Sequence, residues 1–325
     1  MILIGAGALG SRHLQSLVEL ARYKNVENVE IADTNRAALD LARSRAEEIL
    51  MTLPVTKRPR LFFFTDIADF TLRRPDLCII ASSSRPRCAI LHSLLDFVVP
   101  KQLVLEKFLF PDFDDYAVAG RLLRNAGVDA WVNCPRASSP GYQWVKKKLA
   151  GAGKIEMAVS ASNFHLMSNS IHHIELFRFF LNAGGTAVQF GSIDRIGELK
   201  PARREGYVDA EGYFSCTVGE SRLSIKSDAA GSKPVTIDIT TDNGIRIHIN
   251  EAEGTIKFKG SPGDEKRSLE LRQISDLAEI WADLIDGTTL LPTYENSSNL
   301  HKQFLHFVAP VFKGMPDALP RFPIT

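Results

Sequence analysis

The sequence predicts an α/β protein with two domains: an N-terminal doubly wound parallel sheet and a C-terminal α+β domain with a large, mostly antiparallel sheet. Strand and helix patterns alternate over residues 1–133, which is typical of a parallel sheet covered by helices. Beyond residue 133, strand patterns follow one another and are separated by hairpin-type turns, of which Asp242-Asn-Gly244 is the clearest. A length of 325 residues is enough for two domains, each with its own core.

The predicted N-terminal domain covers residues 1–133. Its fourth strand, Asp76–Ala81, is continuously apolar, as is typical of a strand buried on both faces. The predicted strands are Met1–Ile4, Val29–Asp33, Arg60–Thr65, Asp76–Ala81, Gln102–Glu106 and Asp129–Asn133. The predicted helices include Asn35–Leu50, Cys88–Phe97 and Phe113–Asn125.

The predicted C-terminal domain covers residues 134–325, and the proline- and glycine-containing segment Asn133–Gly141 marks the domain crossing. We expect its last helix, at about residues 298–312, to pack back on the first domain. The predicted strands are Ile155–Ser162, Ala187–Ile196, Gly212–Val218, Arg222–Ser227, Val235–Thr241 and Ile245–Ile249. The predicted helices are Ile171–Leu181, Arg272–Ile285 and Ser298–Phe312.

The first strand runs directly into a glycine pattern, Gly5-Ala-Gly7-Ala-Leu-Gly10, which is followed by apolar residues at helical spacing. In a Rossmann-type dinucleotide site, Gly5 would permit the tight turn, Gly7 the close approach of a pyrophosphate, and Gly10 the close packing of helix on strand. The pyrophosphate would lie on free N–H groups at the helix N-terminus. The predicted cofactor-binding residues of this turn are Gly5, Gly7, Ala8, Leu9 and Gly10. The alternative is a glycine-rich turn in another kind of α/β protein.

The second strand ends in Asp33, at the position where a ribose ligand is expected. A carboxylate there accepts hydrogen bonds from the ribose 2′-OH and repels a 2′-phosphate, which favours NAD over NADP. Arg36 offers the opposite possibility, because it can reach a 2′-phosphate; alternatively, it begins the next helix as a solvated surface residue. The expected cofactor is therefore NAD, with NADP as the alternative.

Composition argues against several other classes of protein. The formal net charge of +1 gives no field that would attract nucleic acid or an anionic membrane, and Lys146-Lys-Lys148 is interpreted as a solvated helix face. No apolar stretch approaches the ~20 residues of a membrane span, and no signal-peptide pattern precedes the first strand. The four cysteines lack the C-x-x-C spacing of metal sites. We therefore expect a cytoplasmic protein without a metal site.

Two further segments are predicted to meet the glycine turn, because ligands of open parallel sheets bind at the carboxyl ends of the strands. One is the loop Ser82–Arg87, and the other is Glu106-Lys107, which follows the fifth strand. Desolvation and a neighbouring cation would make Lys107 a proton donor or a clamp for a substrate hydroxyl. The alternative is an ordinary solvated lysine at the end of a strand.

A second cluster of polar residues lies in Ser168-Asn-Ser-Ile-His172-His173-Ile-Glu175. Its serines and asparagine are good N-cap residues, which predicts that both histidines lie in the first helical turn. A helix N-terminus disfavours protonated imidazole and so suits a residue that accepts a proton at neutral pH. His172 and Glu175 would share one helix face. The alternative is that the two histidines are partly exposed and have no function.

Together these motifs resemble the glucose-fructose oxidoreductase/inositol dehydrogenase family of NAD(P)-dependent sugar oxidoreductases. The resemblance covers nearly the whole chain and is most specific at Gly5 to His13, at Glu106-Lys107 and around His172. It implies that Lys107 contacts the reacting hydroxyl and the nicotinamide ribose, and that His172 is the general base in oxidation or the acid in reduction. It also implies that Glu106 helps to hold the nicotinamide and that Arg136 lines the substrate pocket. The further residues implied are Ser82, Ser83 and Arg87 for the cofactor, and Ser168 and His173 for the substrate.

The chain departs from the family pattern at three places. The family's Glu-Lys-Pro is Glu106-Lys107-Phe108 here, and the histidine of its loop after strand four is replaced by Arg87, which would favour an anionic substrate. Where the family often has an aspartate four residues before the histidine, this chain has Ser168, which cannot relay a proton as a carboxylate can. His173 or Glu175 is the expected compensation.

The expected function is hydride transfer between a nicotinamide and a hydroxyl or carbonyl carbon of a sugar, nucleotide sugar or cyclitol. Two alternatives stay open: a regulatory protein of the same fold that senses a dinucleotide or a sugar without turnover, and a reductase of a non-sugar acceptor. The expected partners are a small-molecule substrate and a second copy of the chain, in a homodimer or homotetramer, with neither nucleic acid nor membrane.

Overall fold

The computed structural model describes residues 1–193, 195–261, 263–313 and 322–325. The chain forms two compact units, which do not coincide with single stretches of sequence. The first unit consists of Met1–Phe110, Asp114–Pro135 and Arg272–Tyr294, and the second of Pro111–Phe113, Arg136–Leu271 and Glu295–Thr325. The domain boundary after residue 133 and the packing of residues 298–312 on the first domain stay predictions.

The first unit contains a six-stranded parallel sheet, as predicted. Its strands are β1 Ile2–Ile4, β2 Asn28–Ala32, β3 Arg60–Phe64, β4 Leu77–Ile80, β5 Gln102–Leu105 and β6 Asp129–Val132. Their spatial order is β3-β2-β1-β4-β5-β6, the order of a Rossmann fold. The direction of winding reverses between β1 and β4, so a crevice for ligands is expected at the carboxyl ends of these two strands.

Helices follow the strands of the first unit in alternation. They are α1 Gly10–Glu19, α2 Arg36–Leu50, α3 Ser84–Leu95 and α4 Phe113–Ala126. A later segment adds a 3-10 helix, Ile274–Asp276, and α7 Ala278–Ile285, where the sequence predicts one helix over Arg272–Ile285. From α7 the fully buried Trp281 joins the core beside α1, and its indole N–H donates to the hydroxyl of Ser16 at 2.8 Å.

The second unit contains an eight-stranded sheet, which is antiparallel except for the pairing of β7 with β12. The sheet order is β16-β15-β14-β13-β7-β12-β11-β8, and β9 pairs with β10 separately. The strands are β7 Ile155–Ser162, β8 Gln189–Phe190, β9 Lys200–Pro201, β10 Val208–Asp209, β11 Gly212–Val218, β12 Ser221–Asp228, β13 Thr236–Thr241, β14 Arg246–Asn250, β15 Thr255–Lys259 and β16 Glu265–Ser268. The helices are α5 Pro140–Lys148, α6 Leu166–Phe180 and α8 Tyr294–Val308, the last followed by a 3-10 turn at Ala309–Phe312.

Several predicted boundaries in the second unit are wrong. Of the predicted strand Ala187–Ile196, the described residues form a strand only at β8, and residue 194 lies outside the described residues. Strands β15 and β16 were not predicted at all. Helix α6 begins at Leu166 rather than Ile171, so His172 and His173 lie in its second turn and not in its first. The cause is a tertiary cap: the carboxylate of Asp209 accepts hydrogen bonds from the backbone N–H groups of Met167 and Ser168.

Among the described residues, no helix combines the length and the apolar character that a membrane span requires. All four cysteines are buried thiols.

Candidate functional site

Two positions of the glycine turn in the first unit require glycine, one because of its backbone conformation and one because a Cβ atom has no space. Gly5 has a φ of +90°, and a Cβ atom there would lie 2.9 Å from the backbone nitrogen of Ser82. A Cβ atom on Gly10 would lie 1.8 Å from the carbonyl oxygen of Gly5, which no side chain can occupy. By contrast, a Cβ atom on Gly7 would meet nothing within 4 Å. The turn is therefore closely packed toward the sheet and open at Gly7.

The open side of this turn presents unpaired hydrogen-bond donors. In the described parts of the chain, the backbone N–H groups of Gly7, Ala8, Leu9 and Gly10 have no hydrogen-bond acceptor. They stand at the N-terminus of α1, where the helix dipole adds partial positive charge. Free N–H groups of this kind bind phosphate oxygens, so the residues present fit a pyrophosphate.

Asp33 lies at the end of β2 and contacts the glycine turn. One oxygen of its carboxylate accepts the N–H of Ala6 at 2.7 Å, and the other accepts the N–H of Asn35 at 2.8 Å. Each oxygen keeps a lone pair for a further donor, so a ribose hydroxyl can still bind there. Arg36 is exposed at the beginning of α2.

Arg45, a residue that no sequence motif singled out, also holds the glycine turn. From α2, its guanidinium donates to the carbonyl of Ala8 at 3.0 Å and to the hydroxyl of Ser11 at 2.6 Å. The guanidinium therefore adds positive charge beside the open N–H groups. Nothing in the local sequence marks Arg45, because it reaches the turn only through the packing of α2 against α1.

Glu106, at the end of β5, forms a buried pair with His13 on α1, the helix that follows the glycine turn. The carboxylate of Glu106 lies 2.6 Å from Nε2 of His13 and accepts a hydrogen bond from the side-chain amide of Asn133 at 2.5 Å. Burial opposes ionisation of Glu106, but these hydrogen bonds lower its pKa below the usual range. Only 3% of Glu106 is exposed. Its carboxylate thus supports the helix that carries the turn, a role that the sequence did not indicate.

Lys107 is half-buried directly after Glu106, and its peptide bond to Phe108 is cis. The predicted loop residue Arg87 belongs instead to the first turn of α3 and is buried. Its guanidinium donates to the carbonyls of Phe108, Leu109 and Ser82. Arg87 therefore ties the segment after Lys107 to the end of β4, where Ser82 and Ser83 also lie.

In the second unit, the start of α6 surrounds a buried carboxylate. The hydroxyl of Ser168 donates to Asp209 at 2.6 Å, and the carboxylate also caps the helix. Burial raises the pKa of Asp209, and the hydrogen bond from Ser168 opposes that effect. His172, one turn further along α6, is half-buried.

His173 and Arg136 meet at a residue that the sequence did not identify, Glu251. The guanidinium of Arg136 binds both oxygens of Glu251 at 3.0 Å, and the hydroxyl of Tyr142 donates to the same carboxylate at 2.6 Å. Nε2 of the buried His173 lies 3.5 Å from Glu251. Burial opposes ionisation of Glu251, but Arg136 and His173 hold its pKa well below its usual range.

The surroundings of His173 and Glu175 make both poor substitutes for a carboxylate next to His172. Burial and the charge of Arg136 lower the pKa of His173, which favours its neutral form. Glu175 is buried and pairs with Arg178 at 3.5 Å, and burial raises the pKa of its carboxyl group. Asp209, a residue of β10 without any recognisable motif around it, does contact Ser168.

In the described ranges, no group of three or more His, Cys, Asp and Glu side chains is arranged to hold a metal ion.

No protein-family model matches the chain, and no curated protein is similar enough in sequence to count as a relative. Solved structures, however, match over nearly its full length. One is an oxidoreductase from Agrobacterium radiobacter in complex with NAD+, L-tartaric acid and magnesium, with a TM-score of 0.68, 13% identity and 96% of each chain covered. Another is UDP-N-acetylglucosamine 3-dehydrogenase GnnA from Acidithiobacillus ferrooxidans, with a TM-score of 0.63 and 14% identity over 94% of this chain and 95% of that chain.

A third similar structure is a super-repressor mutant of Gal80p from Saccharomyces cerevisiae, with a TM-score of 0.70, 13% identity and 96% of each chain covered. Sequence identities this low establish a common fold and nothing further. The chain therefore has the fold that this oxidoreductase, this dehydrogenase and Gal80p share.

Proposed function

We propose that the chain is an NAD(P)-dependent oxidoreductase of the glucose-fructose oxidoreductase/inositol dehydrogenase family that acts on a sugar, nucleotide sugar or cyclitol. The observation that carries the proposal is the set of unpaired N–H groups at Gly7 to Gly10, on a turn that Asp33 fastens to the end of β2. An anion of the size of a pyrophosphate satisfies these donors, and the carboxylate next to them suits a ribose hydroxyl. The complex of the similar oxidoreductase with NAD+ supports the choice of cofactor.

The chain's own residues would supply binding and proton transfer. The nicotinamide, when bound, supplies the hydride chemistry. Lys107 is held at the end of β5 by its buried neighbours, and we assign it to the reacting hydroxyl of the substrate. His172 takes the proton of that hydroxyl in oxidation and returns it in reduction. Arg136 is committed to Glu251, so we assign it to shaping the pocket rather than to binding a free anion.

Cofactor binding is the first test of the proposal. NADH fluorescence and thermal unfolding should both change when purified protein is mixed with NADH, and NADPH should have a smaller effect because of Asp33. A panel of sugars, nucleotide sugars and cyclitols, followed through the absorbance of reduced nicotinamide, would then identify the substrate. If neither NADH nor NADPH changes either signal, the proposed function is wrong.

The similarity to Gal80p supports a second candidate function, a regulatory protein that binds a dinucleotide or a sugar without turnover. The departures at Phe108 and Ser168 also favour it. The two candidates differ in one measurement, because a sensor would bind the cofactor yet transfer no hydride with any sugar in the panel. A reductase of a non-sugar acceptor would give the same negative panel but would oxidise NADH with a carbonyl or imine acceptor.

A further inference from the structure

The carboxylate of Asp209 is placed at the N-terminus of α6 with an unusual number of donors around it. Only 3% of Asp209 is exposed. One of its oxygens accepts the N–H groups of Met167 at 2.7 Å and Ala210 at 2.9 Å, and the other accepts the N–H of Ser168 at 3.2 Å. The hydroxyl of Ser168 donates to that second oxygen at 2.6 Å. Four hydrogen bonds thus hold a negative charge in the protein interior.

Ser168 connects this buried charge with the side of α6 that carries His172. The two residues are four positions apart within α6, so their side chains lie on one face, with Cβ atoms about 6 Å apart. Because the serine hydroxyl donates its hydrogen bond to Asp209, its lone pairs can accept a hydrogen bond from an imidazole N–H. A carboxylate that polarises such a hydroxyl stabilises the protonated form of the imidazole beyond it.

We propose that Asp209 is a positioning residue that acts through Ser168 on His172, keeping the imidazole oriented and stabilising its protonated form. The proposal rests on the proposed function, which assigns proton transfer to His172. During oxidation, the imidazole of His172 would accept the proton of the substrate hydroxyl, while the nicotinamide, when bound, would supply the hydride chemistry. The carboxylate of Asp209 stays ionised throughout. Its negative charge stabilises the imidazolium, and the proton stays on His172.

Other charged groups near Asp209 have different partners. His165 favours the ionised form of Asp209, but its imidazole faces Glu211 at 3.6 Å. His173 faces Glu251, and Glu175 faces Arg178. A carboxylate that serves only as a helix cap would bind the N–H groups of Met167 and Ser168 and leave His172 unaffected. The two roles therefore predict different behaviour of one imidazole.

The experiment is a pH titration of the histidine signals by NMR in the full-length protein labelled at histidine, without cofactor or substrate. His172→Gln identifies the signal of His172. Asp209→Asn, which keeps the shape and one acceptor oxygen of the cap, should lower the pKa of His172 by about 0.5 to 1, because a negative charge that stabilises the imidazolium is lost. Ser168→Ala leaves Asp209 and its cap in place, and it should lower the same pKa in the same direction.

Asp238→Asn is the matched control, because Asp238 is an exposed aspartate of the same unit whose carboxylate contacts His248 at 2.7 Å. This variant should leave the pKa of His172 unchanged. In an active preparation, the acid limb of the pH–rate profile should move with the pKa of His172, and Ser168→Asp should restore it in the Asp209→Asn background.

An unchanged pKa of His172 in Ser168→Ala would overturn the proposal, because Asp209 would then not act through Ser168. An unchanged pKa in folded Asp209→Asn would also overturn it and leave Asp209 as a helix cap. If Asp209→Asn does not fold, the result of Ser168→Ala decides alone. The titration uses neither cofactor nor substrate. Failure of the proposed function is therefore detected separately, as the absence of NADH and NADPH binding by the unmodified protein.

Discussion

The glycine turn of the first unit and the start of α6 in the second unit are both helix N-termini, but they satisfy their backbone N–H groups in different ways. At Gly7 to Gly10, the N–H groups find no acceptor among the described residues. At Met167 and Ser168, the corresponding groups bind the carboxylate of Asp209. A helix end without an internal acceptor is suited to a ligand anion, whereas one already capped by a buried aspartate can only support chemistry further along the helix.

The largest expected effect concerns the residues assigned to chemistry in each unit. His172→Ala and Lys107→Met should each lower the rate of hydride transfer by about 100-fold or more, because each removes a group that moves or stabilises a proton in the transition state. Stability should change little in both variants, and NADH affinity should change little in His172→Ala. Steady-state kinetics with the substrate found in the panel measures this. Lys101→Met and His248→Ala, at exposed positions, are the controls, and equal rates in all four variants would refute the assignment.

Gly10→Ala tests the close packing beneath the glycine turn. Its Cβ atom would overlap the carbonyl oxygen of Gly5, so we expect the free energy of unfolding to fall by about 3 kcal/mol. Gly7→Ala, which places its Cβ atom in open space, should change the free energy of unfolding by less than about 1 kcal/mol. Its main effect should be weaker binding of the cofactor. Urea unfolding monitored by circular dichroism measures the difference. Equal stability of the two variants would show that the turn is no more tightly packed at Gly10 than at Gly7.

Glu251→Gln tests the buried cluster of the second unit. It leaves Arg136 without its bidentate partner, so the free energy of unfolding at neutral pH should fall by about 2 kcal/mol. Because the folded pKa of Glu251 lies well below its unfolded value of about 4.3, its contribution is present above that pH and is lost as the pH falls toward the folded pKa.

The variant should therefore lose less stability than the wild type when the pH is lowered from neutral through this range. Urea titrations at several pH values between neutral and acidic provide the measurement. Glu156→Gln, which affects only an exposed ion pair with Lys154, is the control and should keep the wild-type pH dependence. A parallel pH profile for Glu251→Gln would show that Glu251 is not the group responsible.

The smallest expected effect concerns Asp33. Asp33→Asn keeps an acceptor for the N–H of Ala6 but removes the charge that repels a 2′-phosphate, so the preference for NADH over NADPH should fall by about tenfold, or about 1.4 kcal/mol. Fluorescence titrations with both cofactors measure the ratio. Asp33→Ala should lose the preference as well and also loosen the turn. An unchanged ratio in both variants would assign the discrimination to Arg36.

Whether each region could be predicted from the sequence depends on how far apart in the chain its contacting residues lie. The strand and helix patterns of the first unit and its glycine turn depend on residues close together in the chain, such as Ile4 and Gly5, and the sequence predicted them. The beginning of α6 was predicted incorrectly, because its cap, Asp209, lies 41 positions after Ser168. Glu251 was missed for the same reason, since 115 positions separate it from Arg136.

The sequence by itself determined the alternation of strands and helices in the first unit, the glycine turn and the acidic residue after β2, because hydrophobic period and backbone freedom are local properties. Only the tertiary structure decided which polar groups are already paired. It left the N–H groups of Gly7 to Gly10 without an acceptor among the described residues, tied Arg136 to Glu251, and brought the carboxylate of Asp209 to Ser168. The physical reason is that a buried polar group must find its partner wherever the fold supplies one, and that choice is made by packing and not by spacing along the chain.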